Sequence, residues 1–222
     1  MNEKRTIRVT GKGRLKVRPD TTRITLTLEG SDPDYGKVLE RSARDTETVR
    51  DLLTGFGFAR SDLKTLSFDV DTEYESYREK GVYKQRFKGY RFTHLLKAEF
   101  PSDNDRLGRI LFALARCPAK PEFRLSYTVS DPEGVKNTLL GRAVSDAGEK
   151  AAVLTRAAGV ALKDILRIDY SWGEIDLEVR SMDRMLLEES DSTVAATGSY
   201  DLDVEPDDIE VTDTVTVLWE IG

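Results

Sequence analysis

The sequence predicts an α+β protein made of two intimately joined two-layer α/β sandwiches with mostly antiparallel sheets, and three observations predict it. Seven segments alternate apolar and polar residues with period two, the signature of half-buried strands. Three longer segments carry apolar residues at helical spacing behind Ser or Asp starts. The order is ββαββαβαββ, and no Gly- or Pro-rich linker divides it, so residues 1–222 are expected as one unit with subdomains at about 1–86 and 87–222, the terminal strands free to cross.

The first strand reads Ile7, Val9, Gly11, Gly13, Leu15 and Val17 on one face, against Arg8, Thr10, Lys12, Arg14 and Lys16 on the other. After Pro19-Asp20 the parity restarts as Ile24, Leu26 and Leu28, which predicts a hairpin of the first two strands. A helix follows, with Ser31 or Asp32 as cap, Pro33 in its first turn, apolar Tyr35, Val38, Leu39, Val49, Leu52 and Leu53, and Gly55 as a left-handed stop. The third strand faces Leu66, Phe68 and Val70 inward, and the fourth Tyr90, Phe92, His94, Leu96, Ala98 and Phe100.

A second helix from Ser102 or Asp103 shows Leu107, Ile110, Leu111 and Leu114. A fifth strand alternates Pro121, Phe123, Leu125, Tyr127 and Val129. The alanine-rich third helix starts near Pro132 and ends at Gly159. A sixth strand over about Leu162 to Trp172 bends at Gly173 and continues to Val179, and a last strand runs from Ile209 to Ile221.

Composition narrows the function. The chain is 39% hydrophobic and 33% charged, which suits a globular domain. Its one cysteine, Cys117, allows neither an internal disulfide nor a thiolate metal cluster, and its one histidine, His94, excludes His-rich metal sites. The net charge of −6 comes from Ser181 to Asp208, where nine carboxylates face Arg184 alone, so residues 182–207 are expected as an acidic flexible insertion. The opening MNEKRTIRVTGKG holds no export leader and no apolar run spans a bilayer, so a cytoplasmic address is expected.

Several pieces together resemble the SIMPL-domain family: Ile7 to Gly13, then Val17-Arg18-Pro19-Asp20, Asp62-Leu63-Lys64-Thr65 leading to Phe68, Gly89-Tyr90-Arg91, Ala143 through Ala151, and Gly159. The resemblance covers nearly the whole chain. It implies a two-subdomain α+β architecture and self-association; it carries over no catalytic residue, because the family has no established activity. Relatives commonly carry an export signal and act in the cell envelope, a role not expected here, and the acidic stretch looks like an insertion.

Each candidate for chemistry has a plainer structural reading. His94 lies between Phe92 and Leu96 and reads as a packed, hydrogen-bonded core residue rather than a base or ligand, and Cys117 as a buried thiol. Gly11-Lys12-Gly13 sits within a strand with no helix following, so it marks close packing or a bulge rather than a phosphate loop. No cofactor is expected.

Two surfaces remain. A charged ribbon over Asp69–Arg91 is expected to turn at Lys80-Gly81, pairing Glu75 with Arg86 and Glu73 with Lys88. It also carries Tyr74, Tyr77, Tyr83 and Phe87, a candidate self-association surface; the neighbouring carboxylates disfavour nucleic acid. Keeping both apolar faces aligned requires an extra residue within Lys88–Tyr90, beyond which Val70 meets Phe92, Phe68 meets His94 and Leu66 meets Leu96. The second surface is the basic row Arg8, Lys12, Arg14 and Lys16, a candidate anion-binding or protein-docking face.

The favoured function is a non-enzymatic, self-associating interaction or scaffold module forming a homo-oligomer. The alternatives are a small-molecule binder or enzyme with a cleft between subdomains, where Asp, Arg and Tyr leave no motif, and polyanion binding by the first strand.

Overall fold

The computed structural model describes residues 5–170, 175–180 and 205–222. The expected bend at Trp172-Gly173 and the acidic stretch as far as residue 204 lie outside the described residues. Eleven elements follow in order: β1 (Thr6–Val17), β2 (Thr21–Asp32), α1 (Tyr35–Thr54), β3 (Lys64–Glu79), β4 (Val82–Pro101), α2 (Asn104–Ala115), β5 (Glu122–Thr128), α3 (Pro132–Ala157), β6 (Leu162–Asp169), β7 (Val179–Arg180) and β8 (Ile209–Ile221).

The fold is α+β. Two sheets form, ordered β1-β8-β6 and β3-β4-β2-β5-β7, and every pairing with a described register is antiparallel. One compact unit takes residues 1–20, 128–179 and 206–222, the other 21–127 and 180–205. These units do not follow the division near residue 86 read from the sequence.

The expected hairpin of the first two strands does not form. β1 pairs with β8 along its whole length, and β2 pairs with β4. Alternation fixes which face of a strand is buried but not its neighbour. Asp20 redirects the chain: its carboxylate accepts from the Ser130 N–H at 2.7 Å and the Ser130 hydroxyl at 2.6 Å, and its own N–H donates to Thr128 O.

In the first unit, α3 covers one face of the three-stranded sheet. Gly11 and Gly13 are where the helix backbone comes closest: a Cβ on Gly11 would lie 2.0 Å from Ala143 O, and one on Gly13 2.2 Å from Leu139 O. On the helix side the space is filled by Ala143, Ala147 and Ala151, all fully buried. The glycines thus serve close packing, and no anion loop forms there.

In the second unit, Ile24, Leu26 and Leu28 of β2 and Phe92, Leu96, Ala98 and Phe100 of β4 pack under Val38, Val49 and Leu53 of α1 and Leu107, Ile110, Leu111 and Leu114 of α2. The cap of α1 is Asp34, which accepts from Lys37 N, so Pro33 precedes the helix instead of opening it. Gly55 stays right-handed (φ −62°), and Gly57 (φ +83°) takes the left-handed conformation. Asp103 and Asp131 cap α2 and α3 as expected.

The β3–β4 hairpin turns at Lys80 (φ +47°) and Gly81 (φ +84°), a two-residue turn whose twist matches the strands. Glu75 pairs with Arg86 and Tyr74 with Phe87, but Glu73 pairs with Gly89. Lys88 is therefore the extra residue, and beyond it Val70 meets Phe92 and Phe68 meets His94, as parity required. Gly89 packs so closely on the end of β2 that a Cβ would fall 2.6 Å from Asp32 O.

Two expectations about β3 fail. Thr65 pairs with Leu96 and Ser67 with Leu95, so Leu66 is looped out and does not meet Leu96. Leu66 and Phe68 are also exposed. β3 is the edge strand, and α1 packs on β2 and β4, leaving β3 beyond its reach.

Two substitutions test these contacts. Gly11→Ala forces α3 away from β1 and is expected to cost about 1–3 kcal/mol, read as a lower urea midpoint; an unchanged midpoint would contradict the close approach. Gly89→Val is expected to destabilise by a similar amount, whereas the same change at Gly141, where an added Cβ meets nothing within 4 Å, tests helix propensity alone.

Candidate functional site

Pairing of β4 with β2 ends at Asp32 and Tyr90, so from Glu73 to Gly89 the β3–β4 hairpin continues as a two-stranded ribbon. Seven residues of β3 extend it by roughly 20–25 Å. The bulge at Lys88 sets which side chains share each face.

One face is ionic. Lys88 donates to Glu73 Oε1 at 2.9 Å, Arg91 lies 3.7 Å from the same oxygen, Arg86 pairs with Glu75, and Lys84 meets Glu79 at 2.5 Å. The Lys88 hydrogen bond, with Lys88 and Arg91 charge, holds the Glu73 carboxyl below its usual range. Tyr77 belongs to this face, its ring 5.8 Å from the Arg86 guanidinium. Exposed pairs of this kind each add only about 0–1 kcal/mol, so they select register more than they stabilise.

The other face is aromatic. Tyr74 and Phe87 oppose one another with ring centroids 6.0 Å apart, Phe87 meets Tyr90 at 5.2 Å, and Tyr90 meets Tyr35 of α1 at 5.2 Å, all edge to face. Tyr83 near the tip is 76% exposed, with Arg78 over its ring. The structure thus brings Tyr74, Tyr83 and Phe87 together and puts Tyr77 on the opposite side. It adds Tyr35 and Tyr90, for which helical spacing and strand parity predict inward-facing positions. Their link was hidden because it depends on β2 and β4 being neighbours, which places the first turn of α1 beside Tyr90.

The basic row of β1 lies on the sheet face away from α3. Arg8 is 3.7 Å from Asp169 and Lys16 is 3.5 Å from Glu210, while Lys12 and Arg14 stand opposite Thr214 and Thr212 of β8. Neighbouring acids thus partly neutralise the row.

His94 is half-buried in the second unit. Thr46 donates its hydroxyl hydrogen to Ser42 O, so it accepts from His94 Nδ1–H at 3.1 Å, and Nε2 accepts from Thr65 at 3.0 Å. Both ring nitrogens are used by the neutral form. Burial, with the nearby Arg50 charge, pushes the imidazole pKa down. Cys117 is buried at the end of α2. Among the described residues no three His, Cys, Asp or Glu side chains are grouped to hold a metal, and no helix is long and apolar enough to cross a membrane.

Because the folded-state pKa of His94 lies below the unfolded value of about 6.5, its contribution to stability is full above that pH and is lost as pH falls through the folded-state pKa. Wild-type urea midpoints are therefore expected to fall more steeply below pH 6.5 than those of His94→Gln. Parallel pH profiles would show that His94 does not titrate in this way.

No curated protein matches the chain. A family model described as SIMPL, protein of unknown function (DUF541), matches residues 7–219. Nearly the whole chain, including both sheets and all three helices, falls within that match, and the chain belongs to the SIMPL family.

Proposed function

We propose that this chain is a non-enzymatic, self-associating interaction module whose contact surface is the aromatic face of the ribbon. The observation that carries the reading is the placement of Tyr74, Tyr83 and Phe87 on one exposed face of a two-stranded extension. An isolated hairpin has too little apolar burial to justify such rings energetically. Covered by a second surface, they supply the large, stiff anchors that dominate protein contacts, at roughly 25 cal/mol for each Å² removed from water. The ionic face opposite fixes the ribbon's register and keeps that side soluble.

Tyr77 gives the reading an internal control. Sedimentation at tens of micromolar is expected to show an oligomer that Tyr83→Ser and Phe87→Ser dissociate and Tyr77→Ser preserves. A monomeric wild type would end the proposal, as would an assembly indifferent to the first two changes.

A further inference from the structure

The chain seals one strand edge and leaves another open. At β1 a polar row on α3 takes the outward backbone groups: Arg142 Nη1 donates to Arg14 O at 2.9 Å, Lys12 N donates to Asp146 Oδ2 at 2.6 Å, and Lys150 Nζ reaches Thr10 O at 3.5 Å. Lys150 also binds Asp146 at 2.7 Å; with the Lys12 N–H it holds that carboxyl below its usual range, so the acceptor stays ionised. A strand edge capped in this way cannot recruit another strand.

β3 is an edge of the five-stranded sheet, and among the described residues nothing bonds its outward N–H and C=O groups. From Ser67 to Glu73 it pairs residue for residue with Leu95 down to Gly89 of β4, so this stretch is regular. It holds none of the devices that blunt an edge: no proline, no lysine, no bulge in its own backbone, and no charge on the face toward α1. That face carries half-buried Val70 and Phe68, which is 42% exposed and meets the His94 ring edge to face at 5.0 Å. The opposite face carries Asp69, Asp71, Glu73 and Glu75. Glu73 and Glu75 are matched by Lys88 and Arg86, but Asp69 and Asp71 are exposed and make no ion pair among the described residues. Asp69 stands opposite Thr93, and Arg91, opposite Asp71, leans to Glu73 at 3.7 Å.

These two faces define what fits the edge. A strand laid along Ser67–Glu73 sets alternate side chains over Phe68 and Val70 and the intervening ones beside Asp69 and Asp71, so apolar residues must alternate with basic ones. A second copy of β3 is refused, because any antiparallel register that overlays Asp69–Glu75 on its copy sets acid against acid. Within this chain β1 has the right alternation but is sealed and paired with β8, and Lys84, Arg86 and Lys88 of β4 are already held by Glu79, Glu75 and Glu73. We propose that β3 accepts, as an added strand, an extended segment of a different protein in which apolar residues alternate with Lys or Arg. This partner goes beyond the self-association of the ribbon and does not depend on it.

The probe is a fluorescently labelled peptide as long as Ser67–Glu73, with Lys and Val alternating. Anisotropy is expected to show saturable binding below about 1 mM, weakened about tenfold by Asp69→Asn combined with Asp71→Asn. An isomer with its lysines and valines in separate blocks is expected to bind as weakly. Amide exchange is expected to slow within Ser67–Glu73 on peptide addition and to stay unchanged in β6. Absence of saturable binding overturns the proposal, as does indifference to the two Asn changes, or equal binding of the block isomer, which marks general attraction to an acidic chain. Tyr83→Ser and Phe87→Ser are expected to bind the peptide as the wild type does; if they abolish binding, the peptide sits on the ribbon and the β3 proposal falls. A monomeric wild type that binds the alternating peptide removes the ribbon reading and keeps this one.

Discussion

The contact on which the first unit depends is the near approach of α3 to β1 across Gly11 and Gly13. With no side chain on the strand and only methyl groups at Ala143, Ala147 and Ala151, the helix lies close enough for its flanking residues to reach the strand's backbone. Arg142, Asp146 and Lys150 each precede one of those alanines, and their four-residue spacing places them on the same flank of the helix. Larger residues at the glycines would lift the helix and leave the outward N–H and C=O groups of β1 to water. Packing and edge protection are thus one feature.

In the second unit the corresponding constraint is the extra residue at Lys88. Without it, the ribbon and the packed sheet would disagree about which face is apolar. The bulge allows one continuous hairpin to present an ionic and an aromatic face at its tip, and an apolar face toward α1 and α2 at its base. Its position is set by Gly89, which only fits because it lacks a Cβ against Asp32.

Local grammar was legible in the sequence; neighbour relations were less so. Parity gave the strand faces, the Lys80-Gly81 turn, the bulge, and the pairs Glu75–Arg86 and Val70–Phe92. Cap chemistry located α2 and α3. What parity cannot say is which strand lies beside which: proximity in sequence favours β2 as the partner of β1, and β8, some 200 residues away, takes that place. The same gap misjudged β3: Leu66 and Phe68 alternate like core residues, but an edge strand beyond the reach of α1 leaves them in water. The aromatic site was half legible for this reason too. Tyr74, Tyr83 and Phe87 follow from the hairpin, which is local; Tyr35 and Tyr90 require knowing that β2 and β4 are neighbours.

The residues that carry the family resemblance make contacts that shape the backbone. Gly11 and Gly13 admit α3, Asp146 and Lys150 cap β1, Asp20 ties down Ser130, Asp62 accepts from Ala59 N to close a short turn, and Gly89 fits against Asp32. Each of these holds backbone to backbone or redirects the chain. These contacts hold the scaffold together. The exposed rings of the ribbon take no part in them.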